Sequence, residues 1–184
     1  MEKSLNSIIE YEKLLFQSKY EIWLNDGVFT LKWWMLIAAL FIPWFIWYRL
    51  VDKKRLQEMV LYLFATSLIA VLLDEIGTSL SLWCYPINIL PFFPQLISAN
   101  YCMVPIIFSL IYQFFPKWKS FIIANIILTL VFSYIFEPIL VFAKLYVLIS
   151  WKHTYSIPVY FFASIALKFF SDKVKSVQNS YFLQ

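Results

Sequence analysis

The chain has 184 residues, of which 62% are hydrophobic, 21% are aromatic and only 14% are charged. A soluble globular domain is about 45–50% apolar and about 25% charged, so this composition excludes a water-soluble particle and predicts an integral membrane protein. The net charge of +4 is explained by short basic turns that set topology and contact anionic lipid, so membrane lipids are the expected partners and nucleic acid is not needed.

Few residues are available for cofactor chemistry. Two glycines, one histidine and two cysteines exclude Walker and dinucleotide loops and supply no usual zinc, di-iron or haem ligand set. We therefore expect no metal and no cofactor. Cys84 and Cys102 should lie near the same membrane face, where a disulfide is the alternative to two free buried thiols, which are common.

Residues 1–28 are predicted to form an amphipathic helix at the membrane surface. Apolar residues such as Ile8 and Leu15 are interspersed with charged ones such as Glu12 and Lys19. The segment is too charged to span a bilayer and too apolar for a free tail, so a helix lying on the membrane is favoured over a partner-binding segment.

Residues 29–171 are predicted to form a polytopic, all-α membrane bundle of about five transmembrane helices. A hydrocarbon core of about 30 Å needs about 20 helical residues, and apolar stretches fall at 30–48, 57–80, 96–115, 120–143 and 154–170. Four spans and an interfacial helix would leave one long apolar run unexplained. Between the second and third spans lies a proline-rich loop without charge, which suits a segment folded back into the interface.

The distribution of positive charge predicts the orientation. Nine of the 15 Lys and Arg residues fall on the side of the Lys53 loop, the Lys117 turn and the C-terminal tail 172–184. Because positive loops stay in the cytoplasm, we expect the N-terminus outside and the C-terminus inside.

Three carboxylates lie at membrane depth, where acids are costly and usually face the bundle interior or a wet cavity. Asp74 and Glu75 end the second apolar run and Glu137 ends the fourth. Counting about 1.5 Å per residue from the basic ends places Asp74 and Glu137 at one level, in the outer third of the bilayer.

Polar stripes on two helices suggest which acids face inward. Ser67, Asp74 and Thr78 share a face of the second span, and Ser133 and Glu137 share one on the fourth, because residues three or four apart are neighbours on a helix. We therefore predict Asp74 and Glu137 as the inward pair and as the catalytic candidates, while Glu75 should point about 100° away.

Other spans and loops supply side chains at a similar depth, which makes them candidates for contact with a substrate. These predicted substrate-binding residues are Glu75, Trp83, Tyr85, Asn100, Tyr101, His153 and Tyr160.

Three interpretations of the acids stay open at this point. They can be structural, paired with Lys144, Lys152 or His153 from the outer loops. They can serve catalysis or substrate binding, or they can handle protons or ions, since poorly solvated carboxylates tend to share a proton.

Several motifs together resemble a family of small integral membrane proteins of spore-forming Gram-positive bacteria, over about residues 29–170. They are Ile42-Pro43-Trp44-Phe45-Ile46-Trp47, Leu50-Val51-Asp52-Lys53-Lys54-Arg55, Leu73-Asp74-Glu75-Ile76-Gly77-Thr78, Leu82-Trp83-Cys84-Tyr85-Pro86, Glu137-Pro138 and Trp151-Lys152-His153-Thr154-Tyr155. That family is of unknown function, so the resemblance implies a multi-span fold in a bacterial plasma membrane and no activity. Cys84 departs from the acidic residue usual before this Tyr-Pro pair.

A second, less specific similarity indicates which enzyme activities to consider first. An acid, a glycine three residues later and a Trp-x-Tyr group are similar to small membrane cyclases and hydratases of carotenoid metabolism. We therefore expect a membrane protein that binds an apolar or lipid-like molecule in an outer-leaflet pocket of acids and aromatic rings. The alternatives are an enzyme doing acid-catalysed chemistry on an isoprenoid-like substrate and a proton-coupled transporter or accessory subunit, with the oligomeric state open.

Overall fold

A computed structural model describes residues 2–182 of the chain and is almost entirely helical. In that range, π-helical and 3₁₀ turns extend several helices without a break. The helices are α1 (Glu2–Ile22, continued by the turn Trp23–Gly27), α2 (Leu31–Leu50), α3 (Lys53–Ser79), α4 (Ala99–Phe114), α5 (Trp118–Phe142) and α6 (His153–Phe182). The all-helical prediction is confirmed.

Three of these helices, α2, α3 and α5, are long and apolar enough to cross a membrane. They correspond to the first, second and fourth predicted spans. The apolar helix α4 is shorter than a full span, and α6 extends well past the predicted end of the fifth span at residue 170. The five-span topology therefore stays a prediction.

The core of the bundle lies between α3, α4, α5 and α6. Tyr62 of α3 stacks on Tyr112 of α4 with ring centroids 4.3 Å apart, and Phe121 of α5 is fully buried in the same cluster. Helix α2 packs on the outside, and Trp47 donates from Nε1 to Ser109 Oγ at 3.0 Å. Its face away from the bundle is apolar and exposed, as a lipid-facing helix requires.

The N-terminal helix α1 has no buried residue. Its continuation is hydrogen-bonded to the bundle through Trp23, which donates from Nε1 to the carbonyl of Ile89 at 3.1 Å, and Trp33 of α2 donates to the same carbonyl at 3.0 Å. Leu15 and Phe16 of α1 border a shallow pocket with Pro91 and Phe92. The placement of α1 on a membrane surface stays a prediction.

Helices α3 and α5 end in the same way. Ser81 and Lys144 adopt left-handed backbone conformations, with φ of 53° and 55°. After each, a backbone N–H reaches back five residues, Leu82 to Gly77 and Leu145 to Leu140, both at 2.9 Å. This hydrogen-bond pattern is the Schellman motif, which satisfies the last carbonyls of a helix and turns the chain sharply.

The two turned segments then pair across the end of the bundle. Strand β1 (Trp83–Cys84) runs antiparallel to β2 (Val147–Leu148), and three successive N–H groups, from Ile149 to Trp151, approach the carbonyl of Leu82. We call the segments 80–96 and 143–152 together the cap. The sequence predicted a loop folded back at this end but not its pairing with the second loop.

The opposite end of the bundle is held by charged side chains. Glu58 receives a paired contact from Arg55 and further hydrogen bonds from the Tyr112 hydroxyl, at 2.7 Å, and from Lys175. Helix α6 thus packs through Lys175, within the segment predicted to be a tail.

Lys168 is the buried exception among the basic residues. It is 1% exposed, donates to the carbonyl of Pro116 at 3.0 Å and pairs with Asp172 at 3.3 Å. Its ammonium also lies over the rings of Tyr112 and Phe121. The orientation argument counted Lys168 only as one of the nine basic residues on its side, whereas the structure uses it to join α4, α5 and α6.

Candidate functional site

A cavity of about 350 Å³ lies beneath the cap, among α2 to α6. Its lining is mostly apolar, and Asp74 and Glu137 stand at the end nearest the cap. On α3 the lining extends from Asp74 back to Thr66, which is about 12 Å along the helix. The cavity is therefore an elongated apolar chamber with two acids at one end.

Asp74 is 5% exposed and is surrounded by hydrogen-bond donors. Its Oδ1 accepts from Trp83 Nε1 at 2.7 Å and from the Tyr85 hydroxyl at 2.8 Å, and its Oδ2 accepts from Asn100 Nδ2 at 2.5 Å. Trp83 and Tyr85 are two residues apart in extended chain and so share a face. Three neutral donors therefore satisfy both oxygens of the Asp74 carboxyl group.

Glu137 is equally buried and has a different set of partners. Tyr160 donates its hydroxyl to Oε1 at 2.8 Å, and His153 Nδ1 lies 2.8 Å from Oε2. His153 and Tyr160 are seven residues apart and face the same side of α6. Glu137 therefore differs from Asp74 in having a histidine among its partners.

Proline helps to position both sides of the site. The π-helical turns Ala99–Met103 and Phe132–Phe136 are each followed two residues later by a proline, Pro105 or Pro138. Proline removes one N–H from the helical ladder, and π-turns frequently occur at functional sites. One turn contains Asn100 and the other directly precedes Glu137, so the widened backbone lies where polar groups enter the cavity.

The two acids lie at equal distances from the ends of their helices. Asp74 and Glu137 each precede by seven residues the left-handed residue, Ser81 or Lys144, that ends the helix. Their carboxyl groups do not hydrogen-bond to each other, since each is bound to its own partners. The structure thus brings both predicted catalytic candidates to one cavity without a direct contact between them.

Tyr146 of the cap lies close enough to both acids for their charges to affect it. Burial first, and then the charges of Glu137 and Asp74, raise the pKa of Tyr146 above its ordinary value. Burial and the Asp74 carboxylate likewise raise the pKa of Tyr85, and the two rings stack at 5.4 Å. Both phenols therefore stay protonated and neutral at physiological pH.

Aromatic rings form the wall around the acids. Trp151 meets Trp83 edge to face, with centroids 5.1 Å apart, and its Nε1 donates to Ser156 Oγ at 2.9 Å. Sequence reasoning missed Tyr146 and Trp151 as lining residues. The signal available was two aromatic residues in a short loop directly before His153.

Three predicted substrate-binding residues, Glu75, Tyr101 and His153, do not line the cavity. Glu75 is exposed and accepts a hydrogen bond from Gln95 Nε2 at 2.7 Å, and Tyr101 is 41% exposed. Successive helical residues point about 100° apart, so the neighbours of the inward-facing Asp74 and Asn100 necessarily face elsewhere. His153 contacts the site through its bond to Glu137.

Other sequence-based interpretations are also resolved by contacts. In the described part of the chain, Lys144 and Lys152 form no salt bridge with either acid, so of the proposed structural partners only His153 is engaged. The thiols of Cys84 and Cys102 are free.

A polar path from the acids to the far end of the bundle would have supported transport. Gln113 of α4 and Asn125 of α5 are the polar residues that could continue such a path. They do not line the cavity, and their amide groups donate instead to the carbonyls of Leu50 and Phe161. The cavity therefore offers no polar route through these two residues.

Two small residues, Gly77 and Ser164, help to shape the site. A Cβ on Gly77 would overlap the indole of Trp83, so glycine lets Trp83 reach Asp74. Ser164 of α6 lines the cavity and is 1% exposed.

No family model, curated protein or solved structure matches this chain. Over residues 2–182, no group of three or more His, Cys, Asp or Glu side chains is placed to hold a metal ion. The site is therefore interpreted from its own geometry, which is that of an apolar chamber with a hydrogen-bonded acidic end.

Proposed function

We propose that this protein is a multi-pass protein of the bacterial cytoplasmic membrane that binds an apolar or lipid-like small molecule in the cavity beneath the cap. The observation that carries the proposal is one cavity of about 350 Å³ with a mostly apolar lining and two buried carboxyl groups at one end. Small-molecule pockets are typically about 300–1,000 Å³, mostly apolar, with a few convergent polar groups.

The lining also suggests a route of entry. Met35 of α2 and Ile139 of α5 both line the cavity, yet each is 55% exposed. Both helices are long and apolar enough to lie in the hydrocarbon region, so an opening between them would face lipid. An apolar ligand can then enter from the membrane without crossing water.

Binding can be tested by filling the cavity. Ala163 lines it, while Ala166 lies on the exposed side of the same helix. Ala163→Phe should weaken binding of the neutral dye N-phenylnaphthylamine by about tenfold or more, because the added ring takes the ligand's space. Ala166→Phe adds the same ring outside the cavity and should bind like the wild type.

The measurement is dye fluorescence with purified protein in detergent, together with mass spectrometry of lipids that co-purify with each variant. Equal dye binding and equal co-purified lipid in both variants would show that the cavity is not the binding site.

The proposed orientation places the cap outside and the end around Glu58 inside the cell. It rests on the excess of Lys and Arg at the latter end. In a cysteine-free background, a thiol at Lys152 of the cap should react with an impermeant maleimide on intact cells, and one at Lys54 should react only after lysis. Both positions are exposed. Labelling of the Lys54 position on intact cells would show that the orientation is the reverse of the one proposed.

A further inference from the structure

The acidic end of the cavity lacks a compensating cation. Asp74 is bound by three neutral donors, and Glu137 is bound by Tyr160 and His153. No Lys or Arg is among the described residues that line the cavity. The acidic end therefore has two carboxyl groups, with His153 as the one basic side chain that contacts either of them. Because a buried charge is costly unless it is paired, this end of the cavity favours an additional cation.

The walls at this end are suited to the same charge. Trp83, Tyr85, Tyr146 and Trp151 all line the cavity, with Trp83 against Trp151 at 5.1 Å and Tyr85 against Tyr146 at 5.4 Å. The faces of aromatic rings attract ammonium groups, and aromatic cages are a recurrent way to bind quaternary ammonium ligands. The carboxylates and the aromatic rings at this end therefore both favour a positively charged group.

The cavity continues further inside, away from the acids. Ser164 of α6 is buried in the cavity wall. It is four residues beyond Tyr160 on α6, which is about 6 Å further from the cap. Leu167 of the same helix also lines the cavity, so this part can take the apolar portion of an elongated ligand.

We propose that the ligand of this cavity is a lipophilic cation, an amine or quaternary ammonium group carried on an apolar body. The charged group lies against Asp74 and Glu137 within the aromatic wall, and the apolar body extends toward Ser164 and Leu167. The inference rests on the binding function proposed above and names its ligand class. A small hydrated metal ion fits less well, because most of the lining offers no oxygen ligands.

The decisive comparison is between two probes of the same shape. Octyltrimethylammonium carries the charge, and its uncharged isostere has a quaternary carbon in place of the nitrogen. Both are tested by displacement of N-phenylnaphthylamine from wild-type protein in detergent. The cation should bind about tenfold or more tightly than the isostere, since desolvated cation–π and ion-pair contacts favour the charge.

Variants then locate the charge preference. Asp74→Asn and Glu137→Gln should each reduce affinity for the cation by about tenfold while changing that for the isostere less than about twofold. Glu75→Gln is the matched control, because this neighbouring carboxylate lies outside the cavity, and it should leave both affinities unchanged.

Equal binding of cation and isostere to the wild type would overturn the inference while leaving the apolar cavity in place. That comparison needs no variant, so it decides even if Asp74→Asn fails to fold. If the probes and the dye bind the wild type and Ala163→Phe with equal affinity, the proposal that this cavity is the binding site is wrong. That result is distinct from equal binding of the cation and its isostere.

Discussion

Gly77→Ala tests whether the cap is held to the bundle as the structure shows. Gly77 is buried on α3, and a methyl group there would overlap the six-membered ring of the Trp83 indole. Trp83 cannot simply move aside, because its Nε1 is hydrogen-bonded to Asp74 and its ring packs on Trp151 and Tyr146. The substitution should therefore displace Trp83 and open the acidic end of the cavity.

The magnitude follows from three contributions. Overpacking at a buried contact costs about 1–3 kcal/mol, and losing a hydrogen bond to a charged group costs about 1.5–3 kcal/mol. Alanine gains about 1 kcal/mol over glycine in a helix. The expected net loss in free energy of unfolding is about 1.5–5 kcal/mol for Gly77→Ala.

A double-mutant cycle with Trp83→Ala isolates the contact. Once the indole is absent, alanine at Gly77 should be neutral or should stabilise the fold by up to about 1 kcal/mol. The assay is denaturant unfolding in detergent micelles, followed by circular dichroism. A loss of the same size in both backgrounds would refute the argument, as would wild-type stability of Gly77→Ala alone.

Two further predictions use the same unfolding assay. Lys144→Gly should stabilise the protein by roughly 1 kcal/mol, because glycine adopts the left-handed conformation found there (φ 55°) without a Cβ clash. The control is Lys152→Gly, which should not stabilise the protein because the backbone at Lys152 is not left-handed. Lys168→Met should destabilise by roughly 2 kcal/mol or more, since it leaves the Pro116 carbonyl without its donor and removes the ion pair of Asp172. The exposed Lys173→Met should stay within about 0.5 kcal/mol. A stabilising Lys168→Met would mean that the buried ammonium costs more than its contacts return.

The depth and face of the two acids were predictable from the sequence, because both follow from helical geometry. A rise of about 1.5 Å and a turn of about 100° per residue place Asp74 and Glu137 at one level and turn Glu75 away from Asp74. The same geometry, applied to Asn100, would have turned Tyr101 outward, whereas Tyr101 was predicted to contact a substrate. The sequence also indicated His153 as a partner for an acid, without showing that it meets Glu137 rather than Asp74.

The composition and apolar periodicity of the chain by themselves determined that it is helical and suited to a membrane, since spans of that length and hydrophobicity have few other solutions. Only the tertiary structure decided how the two loops pair into a cap and bring Trp83, Tyr85 and Tyr146 to the acids. Those contacts join residues distant in the chain, through two left-handed turns at Ser81 and Lys144 that lack the usual glycine. No local sequence pattern predicts these contacts, because each turn is stabilised by the contacts that the segment after it makes with the other loop of the cap.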